Sequence, residues 1–99
     1  MFENAPVFIP NAFTPNGDGN NDCFQIYSHN FAAIKLLNVI VFDRWGEKVF
    51  ESDNMHFQWD GSFKGHAMSP NVYSYFIKIV WADSNLPDKH YRGSVTLLK

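Results

Sequence analysis

The sequence predicts an all-β domain, an immunoglobulin-like antiparallel β-sandwich of about seven short strands. Three observations carry that prediction. Apolar residues alternate with polar ones in several runs, the period that sends side chains to opposite faces of a strand. Clusters of Gly, Pro, Asn and Asp separate those runs at short intervals. No segment of useful length shows helical spacing of apolar residues. The chain has 99 residues, 45% hydrophobic and 17% aromatic, enough for one packed core and one domain over residues 1–99.

The elements follow in order. Ala5 to Phe13 is apolar and bracketed by Pro6 and Pro10; proline cannot donate to a ladder, so this reads as an edge strand. Thr14 to Asp22 is dense in turn formers and reads as a loop. Cys23 to Tyr27 alternates and reads as a second strand. His29 to Leu37 has room for one helical turn. Lys35 to Asp43 is β-branched and long enough for a central strand, with Leu37, Val39 and Val41 on the core face and Leu36, Asn38, Ile40 and Phe42 on the wetter one. Asp43-Arg44-Trp45-Gly46-Glu47 is a turn signal, with Gly46 suited to the left-handed position of a bulged hairpin. Lys48 to Glu51 returns as its partner strand. Asp60-Gly61 and Lys64-Gly65 mark turns in a less regular stretch. From Asn71 the clearest strand begins, with Tyr73, Tyr75, Ile77, Ile79 and Trp81 facing the core. Tyr91 to Leu98 closes the chain, with Tyr91, Gly93, Val95 and Leu97 facing one way and Arg92, Ser94 and Thr96 the other.

Charged residues make up 18% of the chain and the net charge is -2. Without a basic stripe, nucleic-acid binding has no electrostatic support. No apolar run approaches the ~18 residues that would mark a membrane-spanning helix. Cys23 is the single cysteine, so no internal disulfide forms; a buried, inert thiol is expected there. His29, His56, His66 and His90 occur singly, without the spacing of a zinc site. No feature positions a nucleophile with a base or a carboxylate pair, so the chain does not read as an enzyme.

Two places have the chemistry of a site. The first loop puts oxygen-bearing side chains at every second position, Asn16, Asp18, Asn20 and Asp22. That pattern suits a structural calcium ion, with Gly17 and Gly19 letting the backbone curl. A loop capped by its own Asx turns is the favoured reading, since the glycine and bidentate glutamate of a helix-loop-helix calcium site are missing. The second is the surface offered by turn aromatics. Trp45 and Trp59 sit in or beside turns, where part of each ring is open to a partner unless it packs over the end of the sandwich.

These motifs resemble a known family. Ile9-Pro10-Asn11-Ala12-Phe13-Thr14-Pro15-Asn16-Gly17-Asp18-Gly19-Asn20-Asn21-Asp22 is similar to the opening of the gliding-motility-associated C-terminal domains of Bacteroidetes, the type B sorting domains of the type IX secretion system. Val41 to Glu51, Trp59-Asp60-Gly61, Pro70 to Tyr75 and Arg92 to Lys99 match in order. Asp43 stands where the family usually shows Asn, and Asn71 where it often has Gly; both changes keep turn chemistry.

The resemblance implies a C-terminal secretion signal, recognised by outer-membrane type IX components including a PorP/SprF-type partner protein. On that view Lys99 ends a much longer chain, whose N-terminal cargo passes through the periplasm to the cell surface or medium. Two routes to recognition are then open. One is strand addition at an exposed edge, the first or the last strand. The other is side-chain contact by the Asn16–Asp22 loop and by Arg44, Trp45 and Gly46 in the hairpin. The C-terminal strand is favoured, where Arg92, Ser94 and Thr96 face outward, with Leu98 and Lys99 beyond them. The rival is a carbohydrate-binding β-sandwich module of a surface enzyme or adhesin, with Trp45, Trp59 or Trp81 as the stacking platform.

Overall fold

The computed structural model describes residues 7–15, 22–28 and 30–98. In chain order the elements are β1 (Val7–Phe8), β2 (Ala12–Phe13), β3 (Tyr27–Ser28), a 3-10 turn (Phe31–Ala33), β4 (Ile34–Phe42), β5 (Lys48–Ser52), β6 (Ser62–Phe63), β7 (His66–Ala67), β8 (Asn71–Trp81) and β9 (Lys89–Leu97). The all-β prediction holds: among the described residues the only helical element is that 3-10 turn.

The main sheet has five strands in the order β2-β9-β8-β4-β5. Its long strands form where β-branched and aromatic residues alternate, side chains that pack well on a pleated surface. The register sets Leu37 opposite Ile79, Val39 opposite Ile77 and Val41 opposite Tyr75. It continues with Ile77 opposite Tyr91, Tyr75 opposite Gly93 and Tyr73 opposite Val95. The alternate residues picked out from the sequence therefore share one face. Leu37, Val39, Val41, Tyr73, Ile77, Ile79 and Val95 are all buried there.

The sheet is not wholly antiparallel, contrary to expectation. β2 runs parallel to β9, with Ala12 opposite Thr96 and Phe13 opposite Leu97. A parallel pair needs a long crossover between its strands; here nearly the whole domain is that crossover. The edge position expected for the first strand is correct, but Pro10 divides it, and Val7–Phe8 pairs instead with Tyr27–Ser28.

A second layer covers the core face of the sheet. Phe24 and Trp59 form an isolated bridge through backbone bonds of 2.8 and 3.0 Å. Their rings lie 5.4 Å from Tyr75 and 5.3 Å from Tyr73 respectively. Cys23 to Tyr27 is thus extended and alternating, with Phe24 and Ile26 buried, yet it is no continuous strand. Its neighbour around Trp59 is too irregular to give it a ladder. β6 and β7 form a small separate hairpin.

One irregularity fills the space between layers. Val41 pairs with Phe50 but Phe42 pairs with Lys48, so Val49 is an extra residue in β5. Such a bulge re-aims side chains locally. Val49 is buried, while Phe50 meets Phe57 and Trp59 at 6.0 and 6.2 Å. Consecutive residues both serve the core.

Candidate recognition surface

The β4–β5 hairpin is built around Asp43. Its Oδ1 accepts the backbone N–H of Trp45 at 2.8 Å and of Glu47 at 2.9 Å. Its own N–H donates to the Glu47 carbonyl, and the Gly46 N–H donates to the Asp43 carbonyl. Gly46 has φ +85°, the left-handed conformation foreseen for it. With the backbone fixed in this way, Trp45 is held in solvent, 80% exposed. The Arg44 guanidinium lies 5.1 Å from the centre of that ring, a cation–π contact. A cleft of about 130 Å³ runs beside the turn, lined by Arg44, Trp45, Met68, Ser69, Asn71 and Val72 among others. Behind it the Tyr73 hydroxyl donates to the Ser69 carbonyl at 2.7 Å. Burial pushes that hydroxyl above the ordinary tyrosine pKa; the Asp43 charge adds to the rise and Arg44 opposes it.

The sheet's other face continues from this hairpin. Phe42 lies opposite Ser74, and Ser74 opposite Ser94. Val72 faces Thr96 and Phe76 faces Arg92 in the adjoining rows. The Arg92 guanidinium rests 5.6 Å from the Phe76 ring centre, and His90 stacks on the same ring at 5.8 Å. Arg44, Trp45 and Gly46 thus lie at the end of the sheet where Ser94 and Thr96 also lie. Leu98 is exposed, and Lys99 is outside the described residues.

Sequence reading placed Leu36, Ile40 and Phe42 on this outer face but took it as the wetter one; it is partly apolar. Leu36 and Val72 are 59% and 48% exposed, and Ile40, Phe42, Phe76 and Val80 are half-buried there. The signal was present: the alternate positions of β4 and β8 are apolar too, a pattern easily attributed to strand propensity alone.

The three tryptophans separate. Trp59 is only 1% exposed, and its Nε1–H donates to the Ser62 carbonyl at 2.9 Å. Asp60 Oδ1 accepts the Ser62 backbone N–H and hydroxyl, while Gly61 takes φ +84°. Trp59-Asp60-Gly61 is therefore a core-anchored turn. Trp81 is also buried. Of the platform proposed for sugar stacking, only Trp45 is left at the surface, and the carbohydrate reading loses most of its basis.

Of the calcium candidates, Asn16, Asp18 and Asn20 lie outside the described residues, and only Asp22 is described. Among the described residues no group of three His, Cys, Asp or Glu side chains is close enough to hold a metal ion. Cys23 is half-buried, not fully buried as expected. Burial raises its pKa, and Asp60 and Asp22 raise it further, so the thiol is kept in its unreactive form.

An all-β fold whose most prominent chemistry is an organised turn with an exposed Trp–Arg pair belongs to the class of recognition domains. Comparison with known families makes this specific. Residues 7–97 match the model of the CHU_C type IX secretion signal domain, and the chain belongs to that family. It is a C-terminal sorting signal, and its role is export of an attached protein to the cell surface or extracellular space. No curated protein matches the chain.

Proposed function

We propose that the export machinery docks on the β4–β5 hairpin and the adjoining outer face of the sheet, with a PorP/SprF-type outer-membrane protein as the direct partner. The carrying observation is Trp45, 80% exposed on a turn whose backbone is fixed by Asp43. Trp and Arg are the residues most often found at binding hot spots. A preorganised turn also loses little conformational freedom on docking. Arg44, Ser94, Thr96 and Leu98 extend the contact around Trp45. The attached protein waits in the periplasm until this surface is engaged, and recognition alone performs the role, without bond-making chemistry. The two packed layers support an immunoglobulin-like reading of the sandwich.

The test is a secreted reporter fused to the domain in a type IX-competent host. The intact domain is expected to carry the reporter outside, and Trp45→Ala to leave it in the periplasm while the domain stays folded. Full export of the Trp45→Ala fusion would overturn docking at the hairpin.

A further inference from the structure

The last strand offers backbone as well as side chains. The Thr96 N–H donates to Asn11 and the Leu98 N–H to Phe13, both across the β2 edge. Even-numbered residues of β9 therefore direct N–H and C=O away from β8, and the β8–β9 register runs unbroken from Lys89 to Leu97. β2 covers this edge only at Thr96 and Leu97. Upstream of it the chain leaves to pair Val7–Phe8 with β3. Among the described residues no strand covers β9 from Lys89 to Ser94, so His90, Arg92 and Ser94 present open ladder groups, a template for an added strand.

Charge identifies what fits. Two ion pairs join described residues, Lys48 with Glu51 and Lys78 with Asp88. Lys89 and Arg92 take part in neither. Their cations lie instead over aromatic rings, Lys89 at 5.7 Å from Tyr91 and Arg92 at 5.6 Å from Phe76. Among the described residues this edge thus carries two cations with no carboxylate partner, on a chain whose net charge is -2. We infer that the free edge of β9 receives an extended acidic segment of a partner protein, which pairs with the His90, Arg92 and Ser94 backbone and sets its carboxylates against Lys89 and Arg92. The inference rests on the sorting role and names the chemistry of the segment that reads it.

Amide exchange followed by NMR tests it on the isolated domain. The probe is a synthetic peptide of repeating Glu-Glu-Val-Val, which carries carboxylates on both faces of a strand, and the control is one of repeating Lys-Lys-Val-Val. The acidic peptide is expected to slow exchange at His90, Arg92 and Ser94, and Arg92→Glu to weaken it about 3- to 10-fold. Ser94→Pro removes one outward N–H at an edge position that tolerates proline, and is expected to abolish the protection with the melting temperature unchanged. Equal protection by both peptides would overturn the acidic assignment. Protection by neither would overturn the strand addition, and protection without peptide that grows with protein concentration would overturn the acidic partner by making a second copy the occupant. Reporter export separates the levels. A Ser94→Pro fusion exported at the normal rate sinks the edge inference and removes Ser94 from the docking contact without touching the sorting role, whereas an intact fusion held back sinks the sorting role in that host.

Discussion

Tyr75 lies directly across the β8–β9 pair from Gly93, and a Cβ built on Gly93 would sit 2.8 Å from the tyrosine hydroxyl oxygen and 3.1 Å from the ring carbon bearing it. The ring cannot easily yield, because its other side packs on Phe24 at 5.4 Å. The glycine of Arg92-Gly93-Ser94-Val95-Thr96-Leu97 is therefore kept by packing. Gly93→Ala is expected to cost about 1–3 kcal/mol as overpacking, which lowers the melting temperature by several degrees in a domain of this size. Adding Tyr75→Phe removes the closest atom and should recover part of the loss. A double variant no more stable than Gly93→Ala alone would mean that the clash lies elsewhere.

Gly61 and Gly46 share a left-handed backbone, at φ +84° and +85°, but not a neighbourhood. A Cβ at Gly61 would meet Leu97 Cδ1 at 2.7 Å and the Phe13 ring at 3.5 Å, whereas one at Gly46 would meet nothing within 4 Å. Gly46→Ala should cost only the backbone term, about 1–2 kcal/mol. Gly61→Ala should add core overpacking, for about 2–5 kcal/mol in all. Urea midpoints decide; equal losses at the two positions would show that the contact with Leu97 relaxes freely.

The tryptophans differ in the same manner. Trp59→Ala opens a cavity among Phe13, Phe50 and Tyr73, worth about 3–5 kcal/mol, a large part of the 5–15 kcal/mol that holds a typical domain together. Trp59→Phe keeps much of the bulk but leaves the Ser62 carbonyl without its donor, at about 1–3 kcal/mol. Trp45→Ala should change stability by no more than about 0.5 kcal/mol, so any effect it has on export reports recognition. A Trp45→Ala domain that melts several degrees early would remove that interpretation.

The strands that build the core were legible because each has a buried side and a repeat of two. Leu37, Val39 and Val41, and Tyr73, Ile77 and Ile79, needed only alternation to be found. Gly46 was legible because few residues other than glycine suit the left-handed turn position. What escaped depends on contacts remote in sequence. The parallel pairing of Phe13 with Leu97 joins the two ends of the chain. The bulge at Val49 breaks the alternation that reveals strands. Trp59 lies beside a turn and reads as half-exposed until Phe24 is seen bridging it. At the candidate site Trp45, Arg44 and the last strand as an edge for strand addition were found, but not the stacking of Arg44 on Trp45. Nor was it legible that β2 covers the edge only at Thr96 and Leu97, because that cover depends on contacts remote in sequence.

Alkaline titration gives the last expectation. Burial holds the hydroxyls of Tyr73, Tyr75 and Tyr91 above their ordinary pKa. In the unfolded chain these groups ionise near pH 10. Below that value both states are protonated and the tyrosines add no pH dependence. As pH rises past it the unfolded chain loses protons first, so the native state binds more protons than the unfolded one and stability falls. The loss continues until the folded tyrosines ionise as well. At Tyr73 ionisation also removes the proton donated to the Ser69 carbonyl at 2.7 Å. Melting temperatures measured from pH 8 upward should begin to fall past about pH 8.5, where the unfolded Cys23 thiol ionises before the folded one. They should fall more steeply past about pH 10 as the tyrosines join, and Tyr73→Phe should make the steeper part shallower while costing some stability at neutral pH. A Tyr73→Phe domain that declines as steeply as the parent would show that the buried hydroxyl behind the hairpin ionises as freely as one in solvent.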